Sequence, residues 1–384
     1  MVCECIEPRI RVLHLISTLD IGGAEMNLLR LVQGISKRYE SHVVSLTSIG
    51  PLGERIRELG TDVQALGMKK GLPDPRGVIR LARIVRRFNP HVIQSWMYHA
   101  NLLGLITAYR IPLVWNIRCS DMDLRRYGRI YRWTVKAGAL FSPLPDAVVV
   151  NSIAGKNFHG SLGYSPRTWT VIHNGFDTAV YRPDESSRRS VRKQLGIPDA
   201  APVIGLMNRY DPMKDHATFF RAATLLSSMD ATVHFILAGR GVSEENPALS
   251  SLMSMMPHAG HVHLLGEQRD VPRLLNAFDI ATSSSSYGEG LPNAIGEAMA
   301  TGIPCVVTDA GDSALLVGDT GIVVPKRDPG ALCAAWQWLL DAGSDFRRAM
   351  GERARKRIME HYSLQVMIRR YETLYRNLTS GRRS

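Results

Sequence analysis

The sequence predicts two doubly wound α/β domains in tandem, each built on a parallel sheet. Short apolar runs rich in β-branched residues alternate with amphipathic stretches from end to end, which is the βαβ pattern. The alternation lapses between Pro183 and Pro202, a stretch rich in charge, Ser and Pro, and then restarts. At 384 residues the chain has room for two domains that each bury a core.

In chain order, Val12–Ile16, Val43–Leu46, His91–Ser95, Leu113–Ile117, Ala147–Val150 and Thr170–Ile172 read as the strands of the first domain. Each is short and flanked by polar or turn residues, as strands buried on both faces are. Helical patterns fall near 24–36, 76–88, 98–109 and 124–140. The polar stretch reads as a linker plus a short helix. Val203–Met207, His234–Ala238, His261–Leu264, Ile280–Ser283, Cys305–Thr308 and Ile322–Val324 follow as strands of the second domain, again with helices between. From about Asp345 the tail is helical and basic: Phe346 to Ser384 holds eleven Lys and Arg against three Glu. The expected boundaries are 1–178, 179–362, and 363–384 for a basic C-terminal helix that crosses back to the first domain.

Lys and Arg number 47 against 35 Asp and Glu, a net charge of +12. That surplus points to an anionic partner: nucleic acid, acidic lipid or a phosphorylated substrate. No RNP, helix-turn-helix or zinc-finger pattern accompanies it, so nucleic acid is not expected. The cysteines, Cys3, Cys5, Cys119, Cys305 and Cys333, are odd in number and scattered, which argues against a disulfide framework and for a reducing compartment. Cys3 and Cys5 form a C-x-C without the further ligands a zinc site needs. The N-terminus does not read as a signal peptide, and no apolar run reaches the ~18 residues of a membrane span. A cytoplasmic protein is expected, peripheral on the inner face of the membrane if its basic helices bind lipid.

Gly22-Gly23-Ala24-Glu25 follows the first strand and opens the first helix. Small residues there let the backbone approach a ligand, and the helix N-terminus offers N–H groups to an anion; an unliganded tight turn would look the same. The pattern is not G-x-G-x-x-G, so a nicotinamide site is not expected. Arg209 and Lys214 bracket the loop after the first strand of the second domain, where ligands collect in open parallel sheets. They could converge on a diphosphate, Arg as a bidentate fork and Lys as a point charge, or stand as solvated cations.

The most informative stretch is Ser283 to Met299, SSSSYGEGLPNAIGEAM, which reads as strand, glycine-rich loop and helix. Pro292 suits the first helical turn. Glu289 in the loop and Glu297 on the helix could each accept hydroxyls of a sugar or ribose. Glu289 could equally be a solvated loop charge. Glu297, among Ala294, Ala298, Met299 and Ala300, would be costly to bury without a partner.

Glu289 and Glu297 are spaced as an E-x7-E motif, and the chain resembles glycosyltransferase family 4, retaining enzymes of the GT-B fold, over nearly its whole length. The resemblance takes in the GGAE loop, Asn174-Gly175-Phe176-Asp177 at the junction, the Arg209/Lys214 pair and the loop running into Glu297. It implies two Rossmann-like domains facing across a cleft. It also implies a hexosyltransferase-like activity that moves a sugar from a nucleoside-diphosphate sugar, a co-substrate, to an acceptor, with no cofactor and no bound metal. Arg209 and Lys214 would hold the donor diphosphate, Glu289 the transferred sugar and Glu297 the ribose. Amides of Gly290, Leu291 and Asn293 would assist at the phosphates, Leu265–Val271 would pass the base, and Gly22 and Gly23 would approach the reacting centre from the first domain. The metal-binding DxD motif belongs to a different fold, so Asp121-Met122-Asp123 is not expected to hold a metal.

His99, after a strand and at a helix start, could orient the acceptor or share a proton, or simply bond to backbone. Asn116, Arg118 and Asp121 follow the next strand as further acceptor-site candidates. Over 124–137, Leu124, Tyr127, Ile130, Tyr131 and Thr134 would share one helix side, and Arg125, Arg129, Arg132 and Lys136 another. Cations mixed with Tyr131 and Trp133 suit an acidic membrane surface, and Arg76, Arg80, Arg83 and Arg87 make a second stripe. A lipid-linked acceptor is therefore expected, and the family resemblance implies a lipid-linked saccharide or growing surface polysaccharide; solvated faces over an ordinary core would read alike. The alternatives are a sugar-nucleotide epimerase or hydrolase of the same fold, a sugar-nucleotide-binding protein without turnover, and a basic membrane- or nucleic-acid-binding module.

Overall fold

The computed structural model describes residues 9–69, 74–120, 124 and 127–380. The chain forms two compact units, residues 1–175 with 364–384, and residues 176–363.

The first unit runs β1 (Ile10–Ile16), α1 (Gly23–Gly34), β2 (Tyr39–Ser45), α2 (Gly50–Glu58), β3 (Asp62–Ala65), α3 (Pro75–Phe88), β4 (Val92–Trp96), α4 (Tyr98–Thr107), β5 (Leu113–Ile117), α5 (Arg129–Phe141), β6 (Ala147–Val150), α6 (Ile153–Ser161) and β7 (Trp169–Val171). Its sheet is parallel, in the order β3-β2-β1-β4-β5-β6-β7. Strand order reverses between β1 and β4, and in such sheets ligands gather outside the carboxyl ends of the strands at that switch point.

Strand β3 escaped the sequence reading because DVQA buries only Val63 fully and sits at the sheet edge. Helix α5 starts at Arg129, not 124. Gly128 is extended at ψ 158, so Leu124 and Tyr127 precede the helix and do not extend its face. Arg125, like the Asp121-Met122-Asp123 stretch, Cys3 and Cys5, lies outside the described residues.

The second unit holds α7 (Glu185–Gln194), β8 (Val203–Met207), α8 (His216–Met229), β9 (His234–Ala238), α9 (Pro247–Ser254), β10 (Val262–Leu264), α10 (Val271–Leu275), β11 (Ile280–Ser283), α11 (Asn293–Ala300), β12 (Cys305–Thr308), α12 (Ser313–Val317), β13 (Gly321–Val324), α13 (Pro329–Asp341) and α14 (Gly343–Arg357). Its parallel sheet has the order β10-β9-β8-β11-β12-β13, with the switch point between β8 and β11. Gly205 on β8 and Gly296 on α11 make close packing possible: a Cβ on either would lie 2.0 Å or less from a ring atom of Phe278 or Phe176.

Helix α15 (Leu364–Ser380) returns to the first unit and buries Leu364, Met367, Ile368, Tyr371 and Tyr375, one stripe at helical spacing, in its core. Several cations of the basic tail serve the fold. Arg347 donates to the carbonyls of Leu339 and Leu340 at the end of α13, Arg355 to those of Thr178 and Tyr181, and Arg357 to those of Leu315 and Leu316. No described helix is long and apolar enough to cross a membrane.

Candidate active site

Most of the sequence-selected residues fall at the switch point of the second unit. The loop after β8 carries Arg209, turns through Pro212–Lys214 and enters α8 at Asp215, an N-cap in the left-handed region whose side chain accepts from the Thr218 amide. The loop after β11 carries Glu289 and enters α11. The two loops are bonded together: the Ser286 amide donates to the Met213 carbonyl at 2.9 Å, and the Ser284 hydroxyl to the Lys214 carbonyl at 2.8 Å.

Their side chains meet as well. Lys214 and Glu289, both buried, form an ion pair, and the Ser285 hydroxyl donates to the same carboxylate oxygen at 2.6 Å. Burial pushes the Glu289 carboxyl up. The charge and hydrogen bond of Lys214, the Ser285 hydroxyl and the charge of Arg209 outweigh that and hold it below its ordinary value, so it is ionised at neutral pH. The ammonium keeps donors beyond the one used on Glu289, and carboxylate Oε2 keeps its acceptor capacity.

The site backbone demands glycine at two positions. Gly288 has φ +75, and a Cβ on it would lie 2.7 Å from Met213 Cε. Gly311 has φ +59, and a Cβ there would lie 2.2 Å from the Glu289 carbonyl oxygen. The Asp312 amide, donating to the Gly290 carbonyl at 2.9 Å, fixes the same loop.

Arg209 is not drawn into the buried pair. It is half exposed at 48% and binds Asp211 at 3.1 Å, though its charge still reaches Glu289. Gly290 and Leu291 are buried, while Asn293 and Glu297 are one turn apart on the open face of α11. Glu297 is therefore half-buried rather than sunk among the alanines: Ile295, Gly296, Ala298 and Met299 take the core side. Ser285 escaped the sequence reading; its only signal was a hydroxyl residue at a strand end.

Gly22, Gly23 and His99 belong to the first unit. Gly22 caps α1 in an extended conformation, and α1 opens at Gly23 beside the switch point. His99 is half-buried on the first turn of α4, its Nε2 3.5 Å from the Thr134 hydroxyl and its ring against Tyr131. Met97, two residues before it, is held at φ 69 while its amide donates to the Asn116 carbonyl at 2.8 Å. Such strain in a non-glycine residue often marks a functional loop. Among the described residues, no group of three His, Cys, Asp or Glu is placed to hold a metal ion.

The family described as Glycosyl transferases group 1 matches residues 201–342, and Glycosyltransferase Family 4 matches residues 21–180. The chain is 30% identical to the D-inositol 3-phosphate glycosyltransferase of Corynebacterium urealyticum, over 94% of its own length and 92% of the relative's. It is 26% identical to the N,N'-diacetylbacillosaminyl-diphospho-undecaprenol alpha-1,3-N-acetylgalactosaminyltransferase of Campylobacter jejuni, over 67% of this chain and 70% of that one. Among solved structures, Anabaena Alr3699/HepE in complex with UDP superposes with a TM-score of 0.82 across 95% of this chain and 99% of that one, at 22% identity, a likeness of fold.

Proposed function

The chain belongs to glycosyltransferase family 4, and we propose that it moves a sugar, with retention of anomeric configuration, from a nucleoside-diphosphate donor held by the second unit to a phosphorylated, lipid-linked acceptor held by the first. The observation that carries the donor assignment is the Lys214–Glu289 pair at the switch point between β8 and β11, with Arg209 at its exposed edge. Negative charge develops on the departing diphosphate. A fixed ammonium, a guanidinium and the N-terminus of α11 are suited to stabilise it without a metal. Glu289, fixed and ionised, would hold the hydroxyls of the transferred sugar through its remaining oxygen. Glu297, on the open face of α11, would take the ribose hydroxyls. Retention rests on the family resemblance.

A thermal-shift screen with UDP, GDP, ADP, CMP and dTDP tests the donor site. One nucleotide at about 100 times its Kd should add ~2.7 kcal/mol, and Glu297→Ala should abolish that shift. No shift with any nucleotide would remove the donor assignment.

The acceptor class is supported by the two relatives, one named for an inositol phosphate and the other for a diphospho-undecaprenol. A lipid-linked acceptor also fits the outer face of α5. Ile130, Trp133 and Leu140 are exposed at 57%, 69% and 74%, with Arg129, Arg132 and Lys136 beside them. Ile130, expected on a different helix side from Arg129, Arg132 and Lys136, is exposed among them. Apolar anchors flanked by cations suit an anionic bilayer. Sedimentation with phosphatidylglycerol vesicles should bind the protein, and Trp133→Ser with Leu140→Ser should weaken partitioning at least tenfold, since each buried side chain contributes ~1.5–3 kcal/mol. Equal binding by wild type and variant would refute the bilayer contact.

A further inference from the structure

We propose that Arg118, just past the end of β5, holds a phosphate group of the acceptor and so selects for phosphorylated acceptors; this rests on the acceptor assignment to the first unit. The side chain lies at the carboxyl end of the sheet, one strand from the switch point between β1 and β4. Its side chain is half-buried, and its hydrogen-bond partners among the described residues are all neutral. NH1 donates to Asn116 Oδ1 at 3.4 Å and to the Tyr371 hydroxyl at 3.3 Å, NH2 donates to Asn174 Oδ1, and the group stands 5.7 Å from the centre of the Trp96 ring.

A buried cation normally meets a carboxylate, as Arg192 of the second unit meets Asp279. Among the described residues, Arg118 instead has Glu25 at longer range, and Arg30 opposing it. Burial pulls its pKa below the usual range, the Tyr371 hydroxyl supports the charged form, and Arg30 adds to the fall. The cradle of Asn116, Asn174 and Tyr371 fixes the planar group from one side. Its remaining N–H donors, in fork geometry, match a phosphate. Positive charge held without a direct counter-ion among the described residues, at the ligand end of a parallel sheet and beside the strained Met97 turn, is an arrangement that an anion completes.

The test is calorimetric titration of the full chain with methyl phosphate at fixed ionic strength, in wild type, Arg118→Gln and Lys214→Gln. Wild type should show two sites. Arg118→Gln should weaken one at least tenfold and leave the other, and Lys214→Gln should do the converse. If Arg118→Gln titrates like wild type, or loses thermal stability while both affinities persist, Arg118 is only a latch for α15 and the proposal is overturned. If Arg118→Gln does not fold, Arg118→Lys decides: it keeps the charge, loses the fork and should weaken the same site several-fold, whereas unchanged affinity overturns the proposal. A wild type that binds methyl phosphate at the Arg118 site but no nucleotide would remove the donor reading and leave this site standing.

Discussion

Lys214→Met should lower sugar transfer on the order of 10²–10³-fold, the usual loss when one preorganised charge donor is deleted. The donor for this assay is the sugar conjugate of the nucleotide that stabilises the wild type. The ammonium is buried and fixed by Glu289, so its field acts where little water screens it. Removing either partner also strands the other charge, at a cost of about 3–5 kcal/mol of stability. Denaturant unfolding must therefore accompany the kinetics. Transfer within threefold of wild type in folded Lys214→Met would sink the catalytic role. Because the Glu289 pKa is lowered on folding, the pair's stabilisation is present above the ordinary carboxylate value of 4.5 and is lost as pH falls through the lower folded value.

Asp279→Ala should destabilise the second unit by about 3–5 kcal/mol, the largest effect on folding expected away from the site. Arg192 is 1% exposed and donates to Asp279 at 2.6 Å and to the carbonyls of Asp199 and Ala201 at 2.9 and 2.8 Å. Asp279 also receives Arg188 at 2.7 Å and the Val203 amide at 2.8 Å, so it ties α7 to the start of β8. Its loss leaves a buried guanidinium without its direct counter-charge, with the charge of Asp199 at longer range. A denaturation transition assigned to this unit measures the effect, and a loss below about 1 kcal/mol would mean that water reaches Arg192 and compensates it.

Arg192 also marks where sequence reading stops. In the run RRSVRKQ it looks like a solvated helix charge, and nothing local shows that its partner lies 87 residues on. The core strands were legible because an apolar run announces burial on both faces by itself; β3, with one fully buried valine, carries no such signal. The donor loops were legible because strand, glycine-rich turn and helix follow one another locally. Contacts between them were not: spacing put Arg209 and Lys214 on one loop, but only the fold separates the buried Lys214 from the exposed Arg209. The cradle of Arg118 is built from Asn174 and from Tyr371, 253 residues away, and no window of sequence contains it.

Helix α15 has a consequence for synthesis. The second unit is one continuous segment, residues 176–363, and can close as soon as it clears the ribosome. The first unit begins first but lacks the apolar stripe of Leu364, Met367, Ile368, Tyr371 and Tyr375 until the last helix emerges. The half translated earlier is thus the half completed later. During the intervening elongation, the ground left open for α15 is exposed apolar surface that a chaperone could cover, and truncation before residue 364 would leave it uncovered for good.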